Sequence, residues 1–460
     1  MVIKMKIQMD IERAVRHIAA SNYDVKKTDQ EISDIIDLVN TAFSANAYNF
    51  DDLSTIVLNQ NGKKRIVKKY DDIFSVENVL CQHIKHVLDR EFKIKYPNRN
   101  KAIRSLFSYI GAAKQMTNFI VVKFDFKDYY NSVSSVYVFE KYIRPKIKDR
   151  FELELVHDFV YKTKYAYAGL CTSNVIAEIV AKDFDREIKN EFLAKGLLFY
   201  ERYIDDCILI LNENIKQSDI QSILDEILKK VFDNINSNNI IKCKTRFNAG
   251  KFQFLSKKML TATPIVIDYL GYEFSFSKAT NDTVEIVYGI TIAKQQKYRK
   301  RLDKIISLYT DRSSPDYDNL ELLRHRLLAF SSRVVYINKH FNKDVWKVKG
   351  FISNYGELRY LLDTPSVSTG TKHFLQNMIR DAFLNNGVSL PYFMKPKGYN
   401  LFENMKRNKT ILLVDNIGYD YSSLTNLCKQ IDILNTDTYG KKRGYGTLVR
   451  DYLIKVKVGY

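Results

Sequence analysis

The segment LLFYERYIDDCILILNE, residues 197–213, constrains this chain more than any other. Leu197–Tyr203 and Cys207–Leu211 are apolar runs of strand length, so they read as a buried antiparallel hairpin with Asp205 and Asp206 at its tip. Adjacent carboxylates repel, and a low-dielectric neighbourhood makes that repulsion worse. Such a tip is stable only where cations neutralise it. The chain must therefore build a sheet that ends in a charged site.

Other segments supply the rest of a mixed fold. NFIVVKFDFKDYYNSV reads as a strand, with Val121, Lys123 and Asp125 on one face and Ile120, Val122, Phe124 and Phe126 on the other. TSNVIAEIVAKDFDREI reads as a helix opened by Thr172 or Ser173, burying Val175, Ile176, Ile179 and Val180. SVENVLCQHIKHVLDREF is an amphipathic helix with Ser75 as its N-cap. Residues 10–60 read as largely helical, and NQNGKKRIVKKYDD as a turn leading into a basic strand. From Ala293 the chain reads as mainly helical and basic, with LELLRHRLLAFSSRVVYINKHF a single amphipathic helix carrying Arg324, Arg326 and Arg333. Strands, helices and antiparallel hairpins interspersed give an α+β fold.

Lysine and arginine exceed aspartate and glutamate by 72 − 53 = 19, a surplus that favours a polyanionic partner, nucleic acid ahead of a membrane surface. The five cysteines show no metal-ligand spacing and read as reduced thiols of a cytoplasmic protein. The charged N-terminal stretch is unlike a signal peptide, and no apolar run is long enough to span a membrane.

Hard oxygen ligands at the hairpin tip suit Mg²⁺, and two such ions need a third carboxylate from a neighbouring strand. Asp125, ending its strand, is the candidate. In order along the chain stand DFKDYY (125–130), GLCTSN (169–174), YIDD (203–206), IKCKTRF (241–247) and YLGYEF (269–274). This set resembles the reverse transcriptases, over roughly residues 60–280. The resemblance implies right-hand polymerase fingers and palm, an antiparallel sheet with helices, followed by an α-helical thumb and a C-terminal extension. The expected division is 1–60 helical, 61–290 fingers and palm, 291–400 thumb-like, and 401–460 an extension of unassigned role.

Carried over by position, Asp125, Asp205 and Asp206 would hold two Mg²⁺ ions, and Lys244 would protonate the leaving pyrophosphate, with Lys242 its competitor. Tyr130 falls where the family keeps an aromatic ring under the sugar, and implies dNTPs over NTPs. Tyr203 would lie near the primer end, and Gly169 in the turn against template and nucleotide. Arg65, Lys101 and Arg104 are the cations expected at the triphosphate. The six cations of residues 294–304 (Lys294, Lys297, Arg299, Lys300, Arg301, Lys304) and the arginines of 320–341 suit a thumb that tracks a duplex, with Tyr298, Tyr336 and Trp346 interleaved as core or stacking rings.

YAGLCTSN departs from the family, with Ala168 and Cys171 at positions usually polar and proline. GL-x-TSN-x-x-AE and the NRN…IR segment look more like bacterial defence-associated and abortive-infection reverse transcriptases. That subgroup implies an RNA template, a structured non-coding RNA partner, a DNA product, and a homo-oligomer or second defence protein. Template-independent or protein-primed synthesis by the same site, and a catalytically silent RNA-binding scaffold, stand as the alternatives.

Overall fold

A computed structural model describes residues 2–22, 27–60, 63–234, 240–279, 283–340, 343–394, 399–433 and 443–457. The chain divides into two compact units, Met1–Met259 and Leu260–Tyr460.

In the first unit α1 (Val2–Ser21) and α2 (Asp29–Ser44) pack with α3 (Val76–Phe92). Ile7, Ile11, Ala14, Val15 and Ile18 of α1 are buried at helical spacing, so this contact is apolar. A capping box of Thr28 and Glu31 opens α2, and the Ser75 hydroxyl accepts from Asn78 N–H to open α3, as its sequence implies. Between them β1 (Ser54–Gln60) and β2 (Lys63–Lys69) form a hairpin that pairs Ser54 with Lys69 and Leu58 with Arg65. The stretch 10–60 is thus helical only to Ser44. The β-branched run Thr55–Val57 finds a strand partner in β2 that local helical periodicity does not reveal.

After α4 (Arg99–Ala113), opened by Asn98, comes β3 (Ile120–Asp125). Short turns α5 (Tyr129–Ser132) and α6 (Ser135–Val138) lead to α7 (Arg150–Thr163) and α8 (Ser173–Leu193). Then follow β4 (Leu197–Tyr203), β5 (Asp206–Leu211), α9 (Gln217–Phe232) and β6 (Gln253–Ser256). The sheet runs β4-β5-β3-β6, all neighbours antiparallel. Every residue of β3 is buried, because helices cover both faces. Behind, Phe124 meets Phe184 of α8 with ring centroids 6.5 Å apart; in front, Phe199 of β4 meets Tyr109 of α4 at 5.0 Å. Val175, Ile176, Ile179 and Val180 are buried as expected.

The second unit opens with a meander of β7 (Ile265–Tyr269), β8 (Tyr272–Lys278) and β9 (Val284–Ile290). The YLGYEF motif forms its first tip, where Leu270 and Gly271 both take positive φ and Tyr269 faces Tyr272, the two-residue hairpin such dihedrals favour. Next are α10 (Ile292–Thr310) and α11 (Leu320–Phe330). Here the expected single helix over 320–341 is corrected. α11 stops at Phe330, and β10 (Arg333–His340) pairs antiparallel with β11 (Lys343–Lys349) and parallel with β12 (Thr410–Leu413). Val334 and Val335 are β-branched and pair with a strand more than seventy residues away, which helps decide their state. Gly350 ends the hairpin at φ 102, where a Cβ would lie 2.1 Å from the Ser332 carbonyl oxygen, so only glycine fits. Arg326, expected on a nucleic-acid face, is instead buried and ion-paired to Asp316 at 2.7 Å. Tyr298 and Tyr336 are core, while Trp346 is 52% exposed.

Helices α12 (Phe351–Asn354), α13 (Thr369–Asn385), α14 (Leu401–Lys406), α15 (Tyr421–Gln430) and α16 (Tyr445–Val456) complete this unit. Among the described residues no helix is long and apolar enough to cross a membrane.

Candidate active site

Strand register gathers the carboxylates. Asp125, last in β3, is the direct cross-strand partner of Asp206, first in β5, and Asp206 in turn faces Tyr203 of β4. Directly paired residues project on the same face. Ile204 and Asp205 form the two-residue tip between Tyr203 and Asp206, with Ile204 at φ 62. Positive φ at the first central position alone belongs to a II′ turn, in which glycine is the usual residue. A β-branched side chain there is strained, and surrounding structure must hold it. Two bonds do so: Arg202 Nη1 donates to the Ile204 carbonyl at 2.9 Å, and the Phe126 N–H donates to the Asp205 carbonyl at 3.2 Å.

The tip is electrostatically tense. Burial, then the charge of Asp125, raise the Asp205 carboxyl, against a downward pull from Lys251 and Arg65. Burial, then Asp205, push Asp206 up to about 6, against Lys123. Asp125 is 1% exposed; its Oδ2 ion-pairs with Lys251 Nζ, and its Oδ1 has no hydrogen-bond partner. Half-burial pulls the Lys251 ammonium down, but the bond to Asp125 and the charges of all three aspartates outweigh it and hold it above an ordinary lysine. Mutually repelling carboxylates, one with a buried oxygen unsatisfied, are a donor set that hard cations fit. Among the described residues, no three His, Cys, Asp or Glu side chains are gathered closely enough to hold an ion as they stand, and one Asp125 oxygen is engaged by the lysine.

The Tyr130 hydroxyl donates to Asn174 Oδ1 at the start of α8. Burial, then the Asp205 charge, raise its pKa. Gly169 has φ 110, and a Cβ there would sit 2.4 Å from the Lys68 carbonyl oxygen of β2. This close approach joins the basic hairpin to the turn before α8: Lys68 N–H donates to the Ala168 carbonyl at 2.8 Å, and the Asn131 side chain bridges the Ile66 carbonyl and the Ala168 N–H. The charge of Arg65 on that hairpin also lowers the Asp205 carboxyl, less than that of Lys251 does.

Lys101 and Arg104 both lie exposed on α4, and the Lys101 charge acts on Glu201 of β4. Lys244 Nζ lies 4.9 Å over the Tyr165 ring, and Lys242 is paired with Asp233 at 2.7 Å. The lysine bound to a catalytic candidate is Lys251, which sequence reading missed; it reaches Asp125 across 126 residues and carries no local signal. Arg202 was missed too, although it had one. Strand alternation puts it opposite Tyr203, and Glu178 and Asp185 lie seven apart on one face of α8, a buried and a half-buried carboxylate that ask for a cation from the facing strand.

A family model described as reverse transcriptase (RNA-dependent DNA polymerase) matches residues 7–274. Two solved structures are similar over most of the chain. Telomerase from Candida albicans, in complex with a TWJ fragment of telomeric RNA, is 9% identical with a TM-score of 0.38, covering 87% of this chain and 67% of that one. Telomerase from Candida tropicalis, in complex with the same kind of fragment, is 12% identical with a TM-score of 0.34, covering 82% and 68%. No curated protein matches the chain.

Proposed function

Since this chain belongs to the reverse transcriptase family, whose members are RNA-dependent DNA polymerases, we propose that it extends a primer 3′-hydroxyl with dNTPs, copying RNA, at Asp125, Asp205 and Asp206. One observation carries the assignment: β3 and β5 set Asp125 directly opposite Asp206, with Asp205 on the adjoining turn. The three aspartates would hold two Mg²⁺ ions, which when bound activate the attacking hydroxyl and neutralise the leaving pyrophosphate. The chain's own groups do the rest. Asp125, held by Lys251, would give up that ion pair to hold an ion. Tyr130 presents its ring under the sugar and excludes a ribose 2′-hydroxyl. Arg65 on the fingers hairpin meets the triphosphate, with Lys101 and Arg104 on α4 as more distant phosphate contacts. Lys244 delivers the proton to pyrophosphate, Tyr203 lines the primer end, and Gly169 lets the hairpin close on the template side.

The domain reading follows: fingers and palm over 61–290, a thumb-like region over 291–400, and an extension beyond. The GL-x-TSN-x-x-AE segment supports a place in bacterial antiphage defence, with a structured non-coding RNA as template, an oligomer or second protein as partner, and the cytoplasm as compartment. Free thiols at all five cysteines fit that reducing environment.

Purified protein given a primed RNA template, dNTPs and Mg²⁺ should make complementary DNA. Asp205→Ala combined with Asp206→Ala should lower incorporation at least about 10³-fold, as loss of preorganised transition-state charge does. Equal synthesis by that double variant refutes the assignment. Sequencing the product decides templating: homopolymer or random DNA, free or attached to protein, means that the same site works without copying.

A further inference from the structure

Arg202 holds the strained carboxylate turn from behind the sheet, and we propose that it is a positioning residue for polymerisation, fixing the Ile204 carbonyl and with it the aim of Asp205 and Asp206. The proposal rests on the reading of the site given above.

All five guanidinium donors are used. Nε and Nη2 donate to the two Asp185 oxygens at 2.8 and 2.9 Å, and Nη1 and Nη2 donate to the two Glu178 oxygens at 2.9 and 2.7 Å. The second Nη1 donor goes to the Ile204 carbonyl at 2.9 Å. A fork this saturated, with its side chain 5% exposed, has one geometry. Neutralising Glu178 and Asp185 would require the charge alone. The fifth bond does something else, since it ends on the backbone of the tip residue that has positive φ and a β-branched side chain. Strain of that kind persists only where neighbours over-determine it.

Both carboxylate anchors come from α8, and the Tyr200 hydroxyl adds a third tie to Asp185 at 2.7 Å. The first turn of the same helix carries Asn174, which holds the Tyr130 hydroxyl. One rigid element therefore sets the carboxylate turn and the sugar-facing ring together. A lysine, with three donors on a flexible stem, cannot reproduce the fork.

The test separates charge from position. A triple variant, Arg202→Met with Glu178→Gln and Asp185→Asn, removes the guanidinium without leaving buried carboxylates unpaired. Its thermal midpoint and primer–template affinity should stay near those of wild type, and its dNTP KM within about twofold, while kcat falls about tenfold or more, the equivalent of one lost charge-assisted bond to the turn. Hydrogen exchange at the Phe126 amide, which bonds the Asp205 carbonyl, should quicken without any substrate present. Recovery of wild-type kcat along with the thermal midpoint would mean that Arg202 only balances charge, and would overturn the proposal. Should the triple variant not fold, Arg202→Lys decides, because it keeps the charge. Lowered kcat at unchanged KM supports positioning, and wild-type kcat refutes it. A wild-type protein that extends no primer refutes the reading of the site and this role together.

Discussion

Asp206 concentrates the conflict between folding and the proposed function in one side chain. In the unfolded chain its proton leaves near 3.8, whereas in the folded chain burial and Asp205 hold it to about 6. Between those values the folded state binds more protons, so stability is fullest below 3.8 and is lost as pH rises through about 6. Asp206→Asn should therefore stabilise metal-free protein above that pH, by up to about 3 kcal/mol, while removing nucleotide incorporation. Thermal melts in chelator at two pH values check this, and an unchanged midpoint at pH about 8 would mean that neighbouring cations already satisfy the carboxylate. Arg65 offers a second test. Because its charge acts on Asp205 and that of Lys101 on Glu201, Arg65→Ala should raise dNTP KM about tenfold and Lys101→Ala less than about twofold. Steady-state kinetics showing the reverse order would move triphosphate binding from the hairpin to α4.

At the scale of elements, the contact between the β1–β2 hairpin and the turn before α8 depends on one missing side chain. Gly169→Ala would place a methyl group against the Lys68 carbonyl in a backbone conformation that alanine resists. We expect it to cost about 1–3 kcal/mol of stability and to raise dNTP KM, because the hairpin carrying Arg65 must shift. An unchanged melting midpoint together with unchanged KM would show that the hairpin does not depend on this approach. The elements legible in advance were those with local signatures: the capped helix α3, α8 with its buried face, the strands flanking the two aspartates, and the basic strand β2. The β10–β11 hairpin was not legible. Its residues follow α11 without a breaker, and its pairing with β12 lies far along the chain. Periodicity measured over a short window cannot register a partner at that distance.

Across the whole molecule, the surplus of 19 positive charges should govern the affinity for nucleic acid that the proposed function requires. Affinity for an RNA–DNA duplex should fall about 10³-fold between roughly 50 and 200 mM salt if about six phosphates are contacted. Fluorescence anisotropy at several salt concentrations measures the slope, and a flat slope would leave the charge without a role in binding. The sequence alone determined the α+β class, the family resemblance, and the hairpin with its two aspartates, since alternation, caps and a charged tip are local properties that neighbouring residues enforce. Tertiary structure decided which groups answer those charges. Lys251 reaches Asp125 and Arg202 reaches the Ile204 carbonyl because strand register and helix packing bring them there. A buried charge takes its partner from whatever the fold places beside it, at any separation along the chain.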